Sequence, residues 1–505
     1  MAEQQQNVSR AAGWMVGLRW MIRGLGILRT VIIAGILFPE DFGRAILAIS
    51  IVMFVEAITE IQVDYSLIRS RQNTDALNNA AWTLQILRGL IAAVIVAFSA
   101  QSVGDFYEDP LLVQPLYLLA VALFIGGFVN VGIAEFQRDM DFKKVFIVMG
   151  ASRIASLVTS VVVALITQSF WAILIGYLVQ RIVDVVVSFV MHARRPRLGV
   201  KSMGEIGKHS KWLMLQGILF QMLLRLDIFL IGKIAGPAAL GPYYLAKMIA
   251  ELVGTEMSQG LKTALFAKFV RQDRDADEAT QTTMNFRQLR DTSHICLLIA
   301  APLSLLMGLC ATDLVAFALE ERWSDAALYL QIFSFGALFG LADAAPLSVV
   351  LALGKTHLMA VRQAITLAVF APVLWFASQT FGLVGAGVAV VMTFIIATIY
   401  DYYIAIRDLE PDWETFKQGL VRIAIAAGAM AAVSFAVLYA LPEGAGRWDP
   451  MHLLRIAASS LAGLLVYSLV VRWQWTWRGR PETFEKLIAA AMSPAMLSFR
   501  RKVGL

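Results

Sequence analysis

The sequence predicts an all-α polytopic membrane protein of about 14 transmembrane helices, built as two six-helix lobes related by a pseudo-two-fold axis, with two extra helices at the C-terminal end. Three observations predict it. Hydrophobic residues fill 58% of the 505 positions and charged ones only 16%, whereas soluble chains average about 45–50% and about 25%. Apolar runs of about 20 residues, the length of one helical crossing, succeed one another with little between them. The 43 Lys and Arg gather on alternate connections. A large water-soluble catalytic domain is excluded.

The runs fall at 12–38, 43–67, 79–101, 111–135, 145–167, 170–192, 212–235, 240–264, 291–311, 326–352, 358–378, 382–405, 418–440 and 452–472. With the N-terminus inside, the inner connections hold Arg138, Lys143 and Lys144, then Arg194, Arg195, Arg197, Lys201, Lys208 and Lys211, then Lys268, Arg271 and Arg274. The outer loops are short and acidic, with Glu40-Asp41, Glu108-Asp109 and Glu320-Glu321. The positive-inside rule therefore puts both termini in the cytoplasm. Met1–Arg10 has no basic region or small-residue cleavage site, so the first run reads as a retained helix. Trp473, Trp475 and Trp477 form an aromatic belt, and the stripe Phe484, Leu487, Ile488, Met492 and Met496 predicts an amphipathic helix lying on the inner leaflet. Basic loops predict contact with membrane lipid, and nothing predicts nucleic acid.

Pro39 and Gly43 between the first two runs are echoed by Pro237 and Gly241 between the seventh and eighth, at an offset of 198 residues. Six spans per unit give both units one orientation, so their axis lies along the membrane normal. The expected organisation is an N-terminal lobe over 1–192, a basic cytoplasmic linker over 193–211 and a C-terminal lobe over 212–405. Helices 13 and 14 occupy 406–472, and the tail 473–505.

Charge deep in a span is costly unless it faces a cavity or a partner, so depth selects the candidates. In the first span Arg29 lies about 13 Å from the outer end, Arg23 about 22 Å and Arg19 about 29 Å, where Arg19 can snorkel. The seventh span carries Arg225 and, about 12 Å from its outer end, Asp227. Arg29 and Asp227 are equivalent under the offset. They are expected to face one another, either as a gating pair or as a static pair that fixes packing. Lys247 and Lys262 in the eighth span, with Arg88 and Arg153 elsewhere, add positive charge. Glu56, Glu60 and Asp64 share one helical face and are the candidates for proton or sodium coupling. Glu251, Glu256, Asp184 and Asp343 are further acids. The cationic excess in spans one, seven and eight suits an anionic substrate.

Other chemistry is missing from the sequence. Gly354-Lys355-Thr356 lacks the first glycine of a phosphate loop, because position 349 is Val. No metal-ligand spacing and no cofactor motif occur. Cys296 and Cys310 stand about 21 Å apart along one run, too far to pair, and read as core.

Several segments together resemble bacterial oligosaccharide flippases of the polysaccharide transporter family, within the superfamily that also holds multidrug extruders and the lipid II flippase. Arg225-Leu-Asp227-Ile-Phe-Leu-Ile-Gly232 running into Gly236-Pro-Ala-Ala-Leu-Gly241-Pro-Tyr-Tyr244-Leu-Ala246 is similar to that family's seventh-to-eighth-helix stretch. Gln137-Arg138-Asp-Met-Asp-Phe142-Lys143, Phe170-Trp171-Ala172, Arg195-Pro196-Arg197-Leu198 and Phe106-Tyr107 with Pro110 resemble its inner and outer connections. The likeness covers residues 10–270 most clearly and is nearest to exopolysaccharide and colanic-acid-type exporters.

The resemblance implies transport without covalent catalysis. An undecaprenyl-diphosphate-linked oligosaccharide repeat would cross the bacterial inner membrane by alternating access, for exopolysaccharide, capsule or O-antigen synthesis. It implies partnership with polysaccharide polymerase or export machinery, a monomeric transporter, and a lipid-tail groove at helices 13 and 14. Arg19, Arg23, Arg29, Arg225 and Lys247 are then the diphosphate-contacting cations, since a guanidinium can grip phosphate bidentately. Asp227 sets the resting state, and Gln221 and Tyr244 meet sugar. The alternatives are a multidrug-extruder-like ion-coupled exporter, which favours acidic cavity residues, and a membrane-embedded glycosyltransferase or polymerase, which needs longer outer loops.

Overall fold

The computed structural model describes residues 2–60, 67, 74–139, 141–201, 203, 211–270, 278–352, 357–407 and 411–477. Asp64, the middle of the basic linker and the amphipathic tail stripe lie outside them, as does the side chain of Arg19. Regular structure among the described residues is helical throughout. Eight segments there are long and apolar enough to cross a membrane, and shorter apolar helices accompany them. Several of the expected spans fall outside those eight for identifiable reasons. Arginines interrupt α1 (Ala2–Ala34), Arg225, Asp227 and Lys233 interrupt α8 (Lys211–Ile234), and a π turn splits the eighth span.

The chain divides into two compact units, Met1–Tyr244 and Leu245–Leu505. In the first unit α2 (Pro39–Ile58) starts on Pro39 with Glu40 and Asp41 in its first turn, the residues a helix N-terminus favours. Thr74 caps α3 (Asp75–Tyr107) by accepting from the Leu77 amide. The short α4 (Val113–Gly126) and α5 (Ile133–Arg138) follow. Next come α6 (Phe142–Thr167), capped by Asp141, and α7 (Trp171–Met191). Helix α6 carries Ser152, Ser156 and Ser160, all buried, on one face against α7. There Gly176 sits so close that a Cβ would fall 1.8 Å from Ser160 Oγ. Small residues allow this approach, as in other membrane helix pairs.

The repeated Pro and Gly meet each other. Helix α8 packs on α2, and the first turn of α9 (Gly236–Glu251) reaches the start of α2. A Cβ on Gly43 would lie 1.9 Å from the Pro237 carbonyl oxygen, and one on Gly241 would lie 2.3 Å from that of Pro39. Each glycine thus rests on the other motif's proline, a reciprocal contact that only a bare Cα permits.

In the second unit, the π turn Leu252–Glu256 separates α9 from α10 (Met257–Val270). Helix α11 (Glu278–Leu309) precedes the short α12 (Ala311–Ala318). Asp343 stands at the break between α13 (Asp325–Ala342) and α14 (Ala344–Ala352). The next helix, α15 (His357–Ile406), is interrupted at Gly382 (φ 60, ψ −142), a conformation open essentially to glycine alone. The chain turns back there, because Arg362 and Asp401 on either side form an ion pair. Helices α16 (Trp413–Ala440) and α17 (Pro450–Trp477) complete the unit, and Trp473 and Trp477 are exposed. Cys296 and Cys310 are buried free thiols, and Cys310 Sγ lies 3.4 Å from Ser459 Oγ.

Candidate functional site

Two kinds of arginine occupy the interior of the first unit. Arg181, near the middle of α7, places Nη2 2.8–2.9 Å from both oxygens of Glu56 and also donates to Tyr177 Oη. Arg88 of α3 bonds Glu60 and lies 3.5 Å from Glu56. These four charges on α2, α3 and α7 compensate one another. A paired, hydrogen-bonded set is the arrangement that charge tolerates in a low dielectric.

The other arginines hold neutral partners. Arg29 of α1 donates from Nη1 to Ser156 Oγ of α6 at 2.9 Å. Arg225 of α8 donates to Ser50 Oγ at 3.2 Å and approaches Met53 Sδ at 3.1 Å, while its buried Nε meets no acceptor among the described residues. Arg153 of α6 donates to Gln180 Oε1 of α7 at 3.4 Å. Among the described residues no carboxylate lies within 4 Å of these three guanidiniums, although Asp184 acts on Arg153 electrostatically.

The remaining expected residues fall as follows. Asp227 is fully buried and accepts from Tyr243 Oη at 3.0 Å. Arg29 and Asp227 therefore have different partners in this structure and do not form the expected pair: Arg29 is turned toward α6, and Asp227 toward the start of α9. Gln221 Oε1 is buried without a hydrogen-bond partner among the described residues. Tyr244 is half-buried, with its ring 6.4 Å from Phe42. Arg23 is exposed on α1. Glu56 stands in the last turn of α2 and Glu60 lies two residues beyond its end, so they do not share a helical face as their spacing predicts, and they engage arginines on two other helices. Sequence reasoning missed Arg181; the available signal was its position ten residues into an apolar helix.

At the ends of the helices, Arg44 binds Asp109 at 2.7 Å and Glu40 at 2.8 Å, and Lys233 binds Glu108 at 2.7 Å. That bond holds the exposed Glu108 carboxyl below its ordinary value near 4.5. The extended stretch after α7 is strapped down by Asn130 Nδ2 to the Arg194 carbonyl and by the Arg197 amide to Asn79 Oδ1, both at 2.8 Å.

In the second unit Lys247 is buried and lines, with Glu251, Thr255, Phe333 and Phe394, a small cavity of about 20 Å³ beside the π turn. Here Arg362 and Arg455 are tied to acids, while the buried Arg422 donates to the Gln418 carbonyl. Arg362 bridges Asp401 and Asp343, and Lys262 stands 3.6 Å from Asp343. Asp313 of α12 takes both His452 Nδ1 at 2.8 Å and Arg455 Nε at 2.9 Å from α17.

The fold is that of the flippase and extruder class of membrane transporters. It superposes on the lipid II flippase MurJ in its inward closed conformation with a TM-score of 0.74 at 14% identity, over 91% of this chain and 98% of that one. It also matches an inward-facing multidrug resistance MATE family transporter, at a TM-score of 0.57 and 13% identity, over 78% and 95%. The chain belongs to the polysaccharide biosynthesis protein family, whose profile matches residues 32–328. Among its relatives, the lipopolysaccharide biosynthesis protein WzxC of Escherichia coli K12 is 21% identical over 81% of this chain and 82% of its own length. The succinoglycan biosynthesis transport protein ExoT of Rhizobium meliloti is 22% identical over 55% and 57%.

Proposed function

We propose that this protein flips an undecaprenyl-diphosphate-linked oligosaccharide repeat unit from the inner to the outer face of the bacterial inner membrane and leaves the substrate chemically unchanged. One observation carries the reading: among the described residues, the half-buried Arg29 and Arg225 of the helical interior hydrogen-bond only neutral partners. A guanidinium is not stably held there without a counter-charge, unless an anion visits. A diphosphate headgroup is such an anion, and it must pass while its polyprenyl tail stays in lipid. Arg29 and Arg225, with Arg19, Arg23 and Lys247, are the cations assigned to it, and Gln221 and Tyr244 are assigned to the sugar. Membership of the polysaccharide biosynthesis family, and the names flippase and transport protein among the similar proteins, support the same reading.

The reading includes fourteen spans, cytoplasmic termini, and lobes over 1–192 and 212–405. The reciprocal contact of Gly43 and Gly241 with the opposite prolines supports the internal repeat. Coupling to a proton or sodium ion is assigned to Glu56, Glu60 and Asp64, with Asp227 setting the resting state. A cation extruder is disfavoured by the excess of Arg and Lys in spans one, seven and eight.

Deleting the gene tests the proposal. Lipid-linked repeat units should accumulate on the inner leaflet, the wild-type gene should clear them, and Arg29→Gln or Arg225→Gln should not. Complete single repeats stranded on the outer face would identify a polymerase instead, and no accumulation would reject both.

A further inference from the structure

We infer that the extended stretch 194–200 is an interfacial anchor: it seats Leu198 and Val200 at the edge of the acyl chains and, with Lys201, sets Arg195 and Arg197 against anionic phospholipid headgroups. The inference goes beyond the flippase reading and uses none of the residues assigned to substrate. After α7 ends at Met191 the chain leaves helical geometry and runs along the start of α3. Three contacts give its direction. Arg194 pairs with Asp75, the Arg197 amide donates to Asn79 Oδ1 at 2.8 Å, and the Gly199 amide donates to Thr83 Oγ1 at 2.9 Å. The contact points advance from Asp75 to Thr83, about 12 Å along the helix. The first large exposed apolar residue of α3, Leu87, follows one turn later, with Leu90 and Ile91 beyond it. The stretch thus climbs toward the lipid-facing band of α3 and stops one turn, about 6 Å, short of it, at the depth of the headgroup region. Trp82, next to Thr83 and 6.4 Å from the Phe189 ring, marks the same depth, since tryptophan favours the membrane boundary.

The stretch has a held side and an open side. Pro196 is buried, Asn130 Nδ2 binds the Arg194 carbonyl at 2.8 Å, and the Arg194 guanidinium also meets Glu135 at 2.9 Å. Leu198 and Val200 are 72% and 75% exposed, and Arg195, Arg197 and Lys201 are exposed with them. Asp75 and Glu135 are both taken by Arg194, and among the described residues no ion pair engages the three outward cations. The Arg195 guanidinium lies over the Phe189 ring, 5.8 Å from its centroid. Backbone can sit at the lipid boundary only where its polar groups find partners, and here α3 side chains take the Arg197 and Gly199 amides. Exposed aliphatics interleaved with Lys and Arg are the composition of an interfacial segment, and anionic headgroups are the partner that this charge fits. An acidic soluble partner matches the cations but gives no account of two aliphatic side chains at headgroup depth.

The test uses the full-length protein in nanodiscs of mixed phosphatidylcholine and phosphatidylglycerol. Leu198→Cys, and separately Val200→Cys, is labelled with an environment-sensitive dye; the native thiols Cys296 and Cys310 are buried, and wild-type protein taken through the same labelling gives the background. Lipids brominated near the top of the acyl chain should quench the dye strongly, and aqueous iodide should quench it weakly. Brominated phosphatidylglycerol should quench more than brominated phosphatidylcholine at the same mole fraction. Arg195→Gln, Arg197→Gln and Lys201→Gln should each lower that preference by up to about fivefold, and the triple variant should erase it at an unchanged melting temperature. Raised salt should likewise erase the preference and leave quenching by the acyl bromines in place. On the held side, Asn79→Ala with Thr83→Val should release the stretch and weaken acyl quenching. Iodide quenching in excess of acyl quenching would overturn the anchor and mark a water-facing surface for a protein. Equal quenching by the two brominated lipids would overturn the assignment to anionic headgroups.

Discussion

The two units treat buried positive charge differently. In Leu245–Leu505, Arg362 and Arg455 are tied to aspartates that link separate helices: Arg362 joins the two arms of α15 to the break at Asp343, and Arg455 joins α17 to α12. In Met1–Tyr244, Arg88 and Arg181 follow the same rule, but among the described residues Arg29, Arg153 and Arg225 hydrogen-bond serine, glutamine and methionine sulfur and no acid. On the proposed reading, a guanidinium with an acid on it holds the fold together, and Arg29 and Arg225 serve the substrate.

The largest expected effect tests the paired class. Asp313→Ala strands Arg455 and His452 in a buried position and should lower stability by about 3–5 kcal/mol, read as a fall in the thermal midpoint of purified protein. Arg181→Gln should cost nearly as much, about 3 kcal/mol, by depriving Glu56 of its closest partner. Adding Glu56→Gln to that variant should return part of the loss. Arg29→Gln should leave the midpoint unmoved and abolish clearance of lipid-linked repeats, and if it destabilises as Arg181→Gln does, the distinction between the classes fails.

The repeat gives a smaller, symmetric effect. Gly43→Val and Gly241→Val each push a side chain into the opposite proline's backbone, and each should cost about 1–3 kcal/mol. Equal penalties and equal losses of transport would support the pseudo-two-fold relation, whereas a penalty at one glycine alone would argue against it.

The smallest effect is electrostatic and exposed. Lys233 holds the Glu108 carboxyl below its ordinary value, so the bond adds stability above the unfolded glutamate pKa near 4.5 and loses it as pH falls through the lower, folded value. Melting curves of wild type and Glu108→Gln should differ slightly at neutral pH and converge in acid.

Much of this architecture was legible in the chain. The run read as starting at 382 begins on the turn at Gly382, and the two Pro–Gly motifs read as a repeat are the ones whose backbones meet. Depth along the helices picked out Arg29 and Arg225. Partner choice was not legible. It depends on helix rotation and on contacts between residues more than a hundred positions apart, such as Arg29 with Ser156 or Arg181 with Glu56. That Arg29 and Asp227 hold different partners in this structure has the same origin: equivalence under the repeat fixes depth and leaves rotation open. Arg181 was overlooked because the apolar residues around it masked its charge in the hydropathy pattern.

The most direct test of the central account is leaflet exposure in proteoliposomes that carry a lipid-linked repeat unit of the producing cell. Wild-type protein should make the inner-leaflet pool accessible to an added sugar-cleaving enzyme, Arg88→Gln should do so at reduced protein yield, and Arg29→Gln and Arg225→Gln should leave that pool protected. Movement by the two carboxylate-free variants at the wild-type rate would contradict the account.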